Sequence, residues 1–100
     1  MNLKNKPTSF EEACYQVGFD IQRLVIDKQK YYGQENILAF GERGLVVRLW
    51  DKVSRLKNLV WNCKSAKNES ITDTYRDIAG YAILAIMLER GWFTLPIKEK

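Results

Sequence analysis

The chain contains no histidine and only two cysteines in 100 residues. Without an imidazole there is no His-based acid–base catalysis and no Ser-His-Asp triad, and zinc sites built on His and Cys drop out. Cys14 and Cys63 lie far apart and neither belongs to a C-x-x-C pair. Two buried free thiols are expected, in keeping with a reducing compartment. The longest apolar run, within 78–88, is too short for a membrane span. The opening Met1-Asn2-Leu3-Lys4-Asn5-Lys6-Pro7 lacks the apolar stretch of a signal peptide. These absences predict a soluble, cytoplasmic protein with no membrane partner.

The apolar and aromatic content is ample for one globular core, with disorder expected only at the ends. A domain of this length buries only roughly 60–65% of the surface its unfolded chain exposes. An apolar surplus in so small a helical chain points to a subunit interface, so a homo-oligomer is expected. The net charge of +4 helps bind polyanions but falls short of a dedicated DNA binder, and a duplex partner is not expected.

Periodicity predicts an all-α domain with three main helices in a small bundle. A polar tail covers 1–8, the domain 9–95, and a short tail 96–100. Ser9-Phe10-Glu11-Glu12 has the form of a capping box, so a first helix starts near Phe10 and runs to about Lys30. Its apolar positions are Ala13, Val17 and Ile21, with Leu24 and Val25. Gly18 marks a candidate close helix crossing, and Gly33 is a natural residue to follow the helix end. Residues 34–44 form a connector with room for one helical turn. A second helix from Leu45 to about Cys63 carries the expected core stripe Val46, Leu49, Val53, Leu56 and Val60. Trp50 and Trp61 are assigned to packing. Ser70-Ile71-Thr72-Asp73 caps a third helix reaching about Arg90, which Gly91 stops. The second and third helices are expected to pair antiparallel. Residues 92–97, with Pro96, fold back as a strap.

Three groups of residues could carry chemistry. Glu69, Asp73 and Asp77 recur every four residues and fall on one drifting face of the third helix. Like charges at that spacing destabilise a bare helix by a few tenths of a kcal/mol per pair. A bound Mg²⁺ or a facing cation would offset this. Asp73 also suits its capping position at the helix N-terminus, whereas Asp77 lies a turn deeper, where capping no longer accounts for it. The second helix carries Arg48, Asp51, Lys52, Arg55 and Asn58. Across 41–64 six basic residues face two acidic ones, a local +4. Guanidinium groups grip phosphate through a forked pair of donors; a plain salt-bridge network between the same residues is the alternative. The third group, Lys28 to Asn36 with Tyr31 and Tyr32, could form a lip for a base and its phosphate, or simply end a helix.

Taken together, the residues resemble a known family. The strings are Lys28-x-x-Tyr31-Tyr32-Gly33-x-x-Asn36, Phe40-Gly41-x-x-Gly44, Arg48-x-x-Asp51-Lys52-x-x-Arg55-Leu56-x-Asn58-Leu59 and Glu69-Ser70-x-x-Asp73-Thr74-x-x-Asp77-Ile78-x-Gly80-Tyr81-Ala82. They are similar to the nucleotide modification associated domain of the first type, phage-associated proteins related to MazG-like all-α nucleoside triphosphate pyrophosphohydrolases. The resemblance implies an all-helical oligomer, a phage or prophage setting within a host cytoplasm, and Mg²⁺-dependent cleavage of a (deoxy)nucleoside triphosphate to monophosphate and pyrophosphate. The MazG-like metal pattern, E-E-x-x-E on one helix and E-x-x-D on the next, is incomplete here. Asp77 stands for the final aspartate, Asp73 is one place before the expected glutamate, and only Asp51 remains of the upstream acids.

The reading that results places Mg²⁺ on Asp51, Asp73 and Asp77, with Glu69 as an outer ligand. Asp51 and Asp77 would be catalytic. Arg48, Lys52 and Arg55 would hold phosphates, and Lys28, Tyr32 and Asn36 the base or sugar side. The alternative is a non-catalytic oligomer that sequesters a nucleotide or cyclic dinucleotide, or binds a host protein. An oligomeric DNA-associated protein ranks last.

Overall fold

A computed structural model describes residues 6–64 and 70–98. Its helices are α1 (Phe10–Tyr32), α2 (Glu35–Leu38), α3 (Gly41–Leu56), a π-helical turn (Lys57–Trp61) and α4 (Ile71–Glu89), with no strand among the described residues. The all-α expectation is met, and the single turn expected in the connector is α2. No helix among the described residues is long and apolar enough to cross a membrane.

Local chemistry starts both capped helices where the sequence indicates. Ser9 Oγ accepts the Glu12 N–H at 3.1 Å, and Ser70 Oγ accepts the Asp73 N–H at 3.0 Å. Each bond satisfies a donor that an unpaired helix start leaves open. Glu12 reaches back one residue further than a standard capping box, accepting the Thr8 N–H at 2.7 Å and the Thr8 hydroxyl at 3.0 Å. These two bonds, the backbone one foremost, hold the Glu12 carboxyl below its ordinary pKa. At the other end of α1, the Gly33 N–H bonds to the Gln29 carbonyl at 2.9 Å with φ at 73°, a conformation glycine adopts without strain. After α4, Gly91 takes φ 76° and the chain turns back, the Trp92 N–H reaching the Met87 carbonyl at 2.8 Å. The strap lies back on its own chain and places Phe93 in the core.

α4 is the element on which α1 and α3 both pack. Lys52 of α3 meets Asp77. Leu45, two turns earlier on α3, lies in the apolar cluster with Tyr81, Leu84 and Leu88, so α3 and α4 run antiparallel. Along α1 the numbering rises with that of α4: Asp20 reaches Arg76, and Val25 touches Gly80.

The core is small. Among the described residues only Ile37, Leu45 and Phe93 are buried apolar side chains, ringed by half-buried residues of α4. Several expectations need correction. The assigned α3 stripe is met only in part: Leu49 and Leu56 are half-buried, but Val46, Val53 and Val60 are more than half exposed, and Leu45 is the fully buried residue. α3 is apolar on two sides, and periodicity alone cannot choose between them. Cys14 and Cys63 are free but exposed, not buried. Nothing approaches Gly18 within 4 Å; the close crossing is at Gly80, where an added Cβ would sit 3.1 Å from Val25 Cγ2. Trp50 and Trp61 are also mostly exposed within one chain.

Two outcomes follow from this packing. Gly80→Val should force α1 away from α4 and destabilise the fold by about 1–3 kcal/mol, read as a lower urea midpoint, since overpacked crossings cost that much. For Glu12 the folded pKa is depressed, so its contribution is present above the unfolded pKa and disappears as pH falls through the lowered folded value. Amide exchange in the first turn of α1 should therefore speed up, beyond its intrinsic pH dependence, below the ordinary carboxyl range and not above it.

Candidate functional site

Where α1, α2, α3 and α4 approach one another they leave an open cleft of about 260 Å³. Its apolar wall is Leu24, Val25, Ile37 and Leu84, and Gly80 keeps its floor close to α1. Polar groups come from every surrounding element: Lys28, Gln29 and Tyr32 from α1, Asn36 from α2, Arg48 from α3, and Arg76, Asp77 and Tyr81 from α4. The volume falls just under the roughly 300–1,000 Å³ of typical small-molecule pockets. It has room for a phosphate and part of what the phosphate is attached to.

Asp77 is the one carboxylate lining the cleft. Lys28 Nζ from α1 lies 3.2 Å from Oδ1, and Lys52 Nζ from α3 lies 2.9 Å from Oδ2. The Asp77 and Lys52 side chains are only 12% and 19% exposed, while Lys28 is half exposed. A carboxylate withdrawn from water to this degree needs such partners, and the two lysines share the one negative charge. Arg48 is half-buried at the cleft and has no ion pair or side-chain hydrogen bond among the described residues. The cations facing the cleft therefore outnumber the anions.

A second ionic cluster stands beside it. Arg76 Nε lies 2.8 Å from Asp20 Oδ2, an ion-pair contact without hydrogen-bond alignment, and Nη2 donates to Asp20 Oδ1 at 3.1 Å. Arg76 Nη1 also reaches Asp73 Oδ1 at 3.4 Å. This draws Asp73 away from Asp77.

The proposed site residues thus separate. Lys28, Tyr32, Asn36, Arg48 and Asp77 come together on the cleft wall, and Lys52 joins them through Asp77. Asp51 and Arg55 are exposed on α3 and do not line the cleft. Neighbouring residues on a helix point about 100° apart, so turning Lys52 toward α4 turns Asp51 away from it. Asp73 is half exposed and engaged by Arg76. Glu69 lies outside the described residues. The expected convergence of Asp51, Asp73 and Asp77 is therefore not what the fold builds. Among the described residues no three acid, Cys or His side chains gather. A lone carboxylate with both oxygens held by lysines does not fit a resident Mg²⁺, which takes a near-octahedral set of oxygen ligands.

Arg76, Asp20, Gln29 and Tyr81 have no role assigned from the sequence, although Gln29 falls within the Lys28–Asn36 group and Tyr81 within a family string. Arg76 could have been noticed from its position three residues after Asp73. Asp20 had no local signal, because its partner is far along the chain.

Asp77→Asn should destabilise the protein by about 1–3 kcal/mol, the usual worth of hydrogen bonds to charged groups. Asp73→Asn, at an exposed pair, should change stability by less than about 0.5 kcal/mol beyond any loss at the helix start. Urea unfolding of both variants makes the comparison.

The family model described as nucleotide modification associated domain 1 matches residues 28–88, more than half of the chain. That span opens at Lys28 and contains every residue of the cleft wall from Lys28 onward. No curated protein and no solved structure matches the chain.

Proposed function

From the premise that this chain belongs to the nucleotide modification associated domain 1 family, we propose that it is a nucleotide-handling protein whose cleft takes a phosphate ester. The observation that carries this is the Arg48 guanidinium, unpaired among the described residues and facing an open cleft beside Lys28 and Lys52. A half-buried guanidinium without a carboxylate offers forked donors to an incoming phosphate. Lys28 is half exposed and bound to Asp77 through one contact, so it can swing from that carboxylate onto an anionic ligand. Tyr32, Gln29 and Asn36 supply a ring face and amide groups on the same wall, suited to a sugar or base. Binding of a nucleotide or a cyclic dinucleotide needs nothing more than these groups.

A second reading is Mg²⁺-dependent pyrophosphohydrolysis of a (deoxy)nucleoside triphosphate, in the manner of MazG-like enzymes. The presence of Asp77 on the cleft wall, at the position of the pattern's final aspartate, favours it. Against it stand the missing acids and the two lysines, whose positive charges beside Asp77 disfavour a cation there.

The test is a panel of nucleoside mono-, di- and triphosphates and cyclic dinucleotides, scored by thermal shift in EDTA and by pyrophosphate release with Mg²⁺. A shift in EDTA without release is expected. Arg48→Ala should weaken the binding about 10–100-fold, the loss of one charge-assisted contact. No shift with any ligand would refute the binding site; release of pyrophosphate would establish the second reading.

A further inference from the structure

The chain exposes more surface than a compact monomer of its size does on average. Its accessible area is 8238 Å². A folded monomer of 11.7 kDa would expose about 5,900 Å². Full exposure of the residues outside the described segments would account for about 1,300 Å² of the difference. About 1,000 Å² is left, above the roughly 800 Å² that each partner buries in a standard interface. The radius of gyration points the same way, at 15.2 Å against about 13 Å for a compact chain of this length.

The outer face of α3 carries part of this surplus in an ordered line. Val46, Trp50 and Val53 are 56%, 73% and 55% exposed and follow one line along the helix. Glu42 continues the line at one end and Lys57 at the other, both exposed and neither with a partner among the described residues. The pattern is symmetric in one specific sense. Val46 and Val53 are equally far from the point midway between Leu49 and Trp50, and so are Glu42 and Lys57. Turned end for end, the stripe sets valine on valine and glutamate on lysine, with Trp50 beside the axis. Such self-complementarity is what a two-fold interface requires.

We propose that α3 pairs antiparallel with α3 of a second copy of this chain, Glu42 of each opposite Lys57 of the other and the two Trp50 rings at the dyad. Apolar burial supplies the affinity, with tryptophan as the central anchor. The charges at the ends select the antiparallel register, because a parallel pair would oppose like charges. Arg48 and Lys52 lie on the other side of α3, so pairing leaves each cleft open. The assembly is therefore independent of what the cleft binds, and its test does not depend on a ligand.

The experiment is analytical ultracentrifugation of the full chain at micromolar concentration, with circular dichroism to monitor folding. The wild type should associate, with a mass of at least twice 11.7 kDa. Glu42→Lys alone and Lys57→Glu alone each oppose like charges and should raise the dissociation constant about tenfold or more. The double variant Glu42→Lys/Lys57→Glu restores opposite charges and should restore association to within a few-fold of wild type. Trp50→Glu should give a helical monomer. A monomeric wild type would overturn the proposal. So would a double variant no tighter than the single ones, or association that Trp50→Glu leaves intact. Should Trp50→Glu unfold, the charge exchange still decides the matter.

Discussion

Asp77 joins the three long helices. It projects from α4, accepts Lys28 from α1 and Lys52 from α3, and stands at the mouth of the cleft the three create. Both lysines approach it because α4 is the element the other two pack against. A carboxylate this sheltered is costly without a counter-charge, and the more buried Lys52 supplies one even when Lys28 turns to a ligand. The same clamp shapes the cleft's chemistry. With its negative charge already shared by two ammonium groups, the wall left to a ligand is dominated by Arg48 and the lysines. Attraction of an anion follows from that balance, and a resident metal does not.

The ionic arrangement also shows why acids at helical spacing need not act together. Asp73 and Asp77 share a face by periodicity, yet Arg76 pulls one toward Asp20 while the lysines hold the other. Each carboxylate has its own basic partners, Arg76 for Asp73 and the two lysines for Asp77. The repulsion that four-residue spacing creates is offset by Arg76 of α4 itself at Asp73 and by lysines of α1 and α3 at Asp77.

The rest of the structure lives with a core of three buried apolar residues. α1 runs for 23 residues without burying one of them fully. A helix gains most of its stability from tertiary packing of one face, and within one chain neither α1 nor the two-sided α3 covers all of its apolar surface. The ionic contacts of Asp77 with Lys28 and Lys52 tie α1 and α3 to α4 at the cleft. Gly80 lets α1 come close where the cleft needs a floor, and Phe93 of the strap joins Ile37 and Leu45 in the buried cluster.

Much of this could be read from the residues alone. The capping residues Ser9 and Ser70, the stops at Gly33 and Gly91, and the turn at α2 are local, and each sits where the sequence places it. The family strings likewise select Lys28, Tyr32, Asn36, Arg48 and Asp77, which meet at one cleft. Local hydrogen bonds and side-chain period are properties of a few consecutive residues, so the sequence carries them in full. Which side of a doubly apolar helix turns inward is different: Leu45 is buried and Val46 is not because α4 lies on one side of α3. The same holds for Lys52 facing in while Asp51 faces out, for Gly80 rather than Gly18 at the crossing, and for Asp20 finding Arg76. Those choices depend on contacts between segments distant in the chain, and only the packed helices settle them.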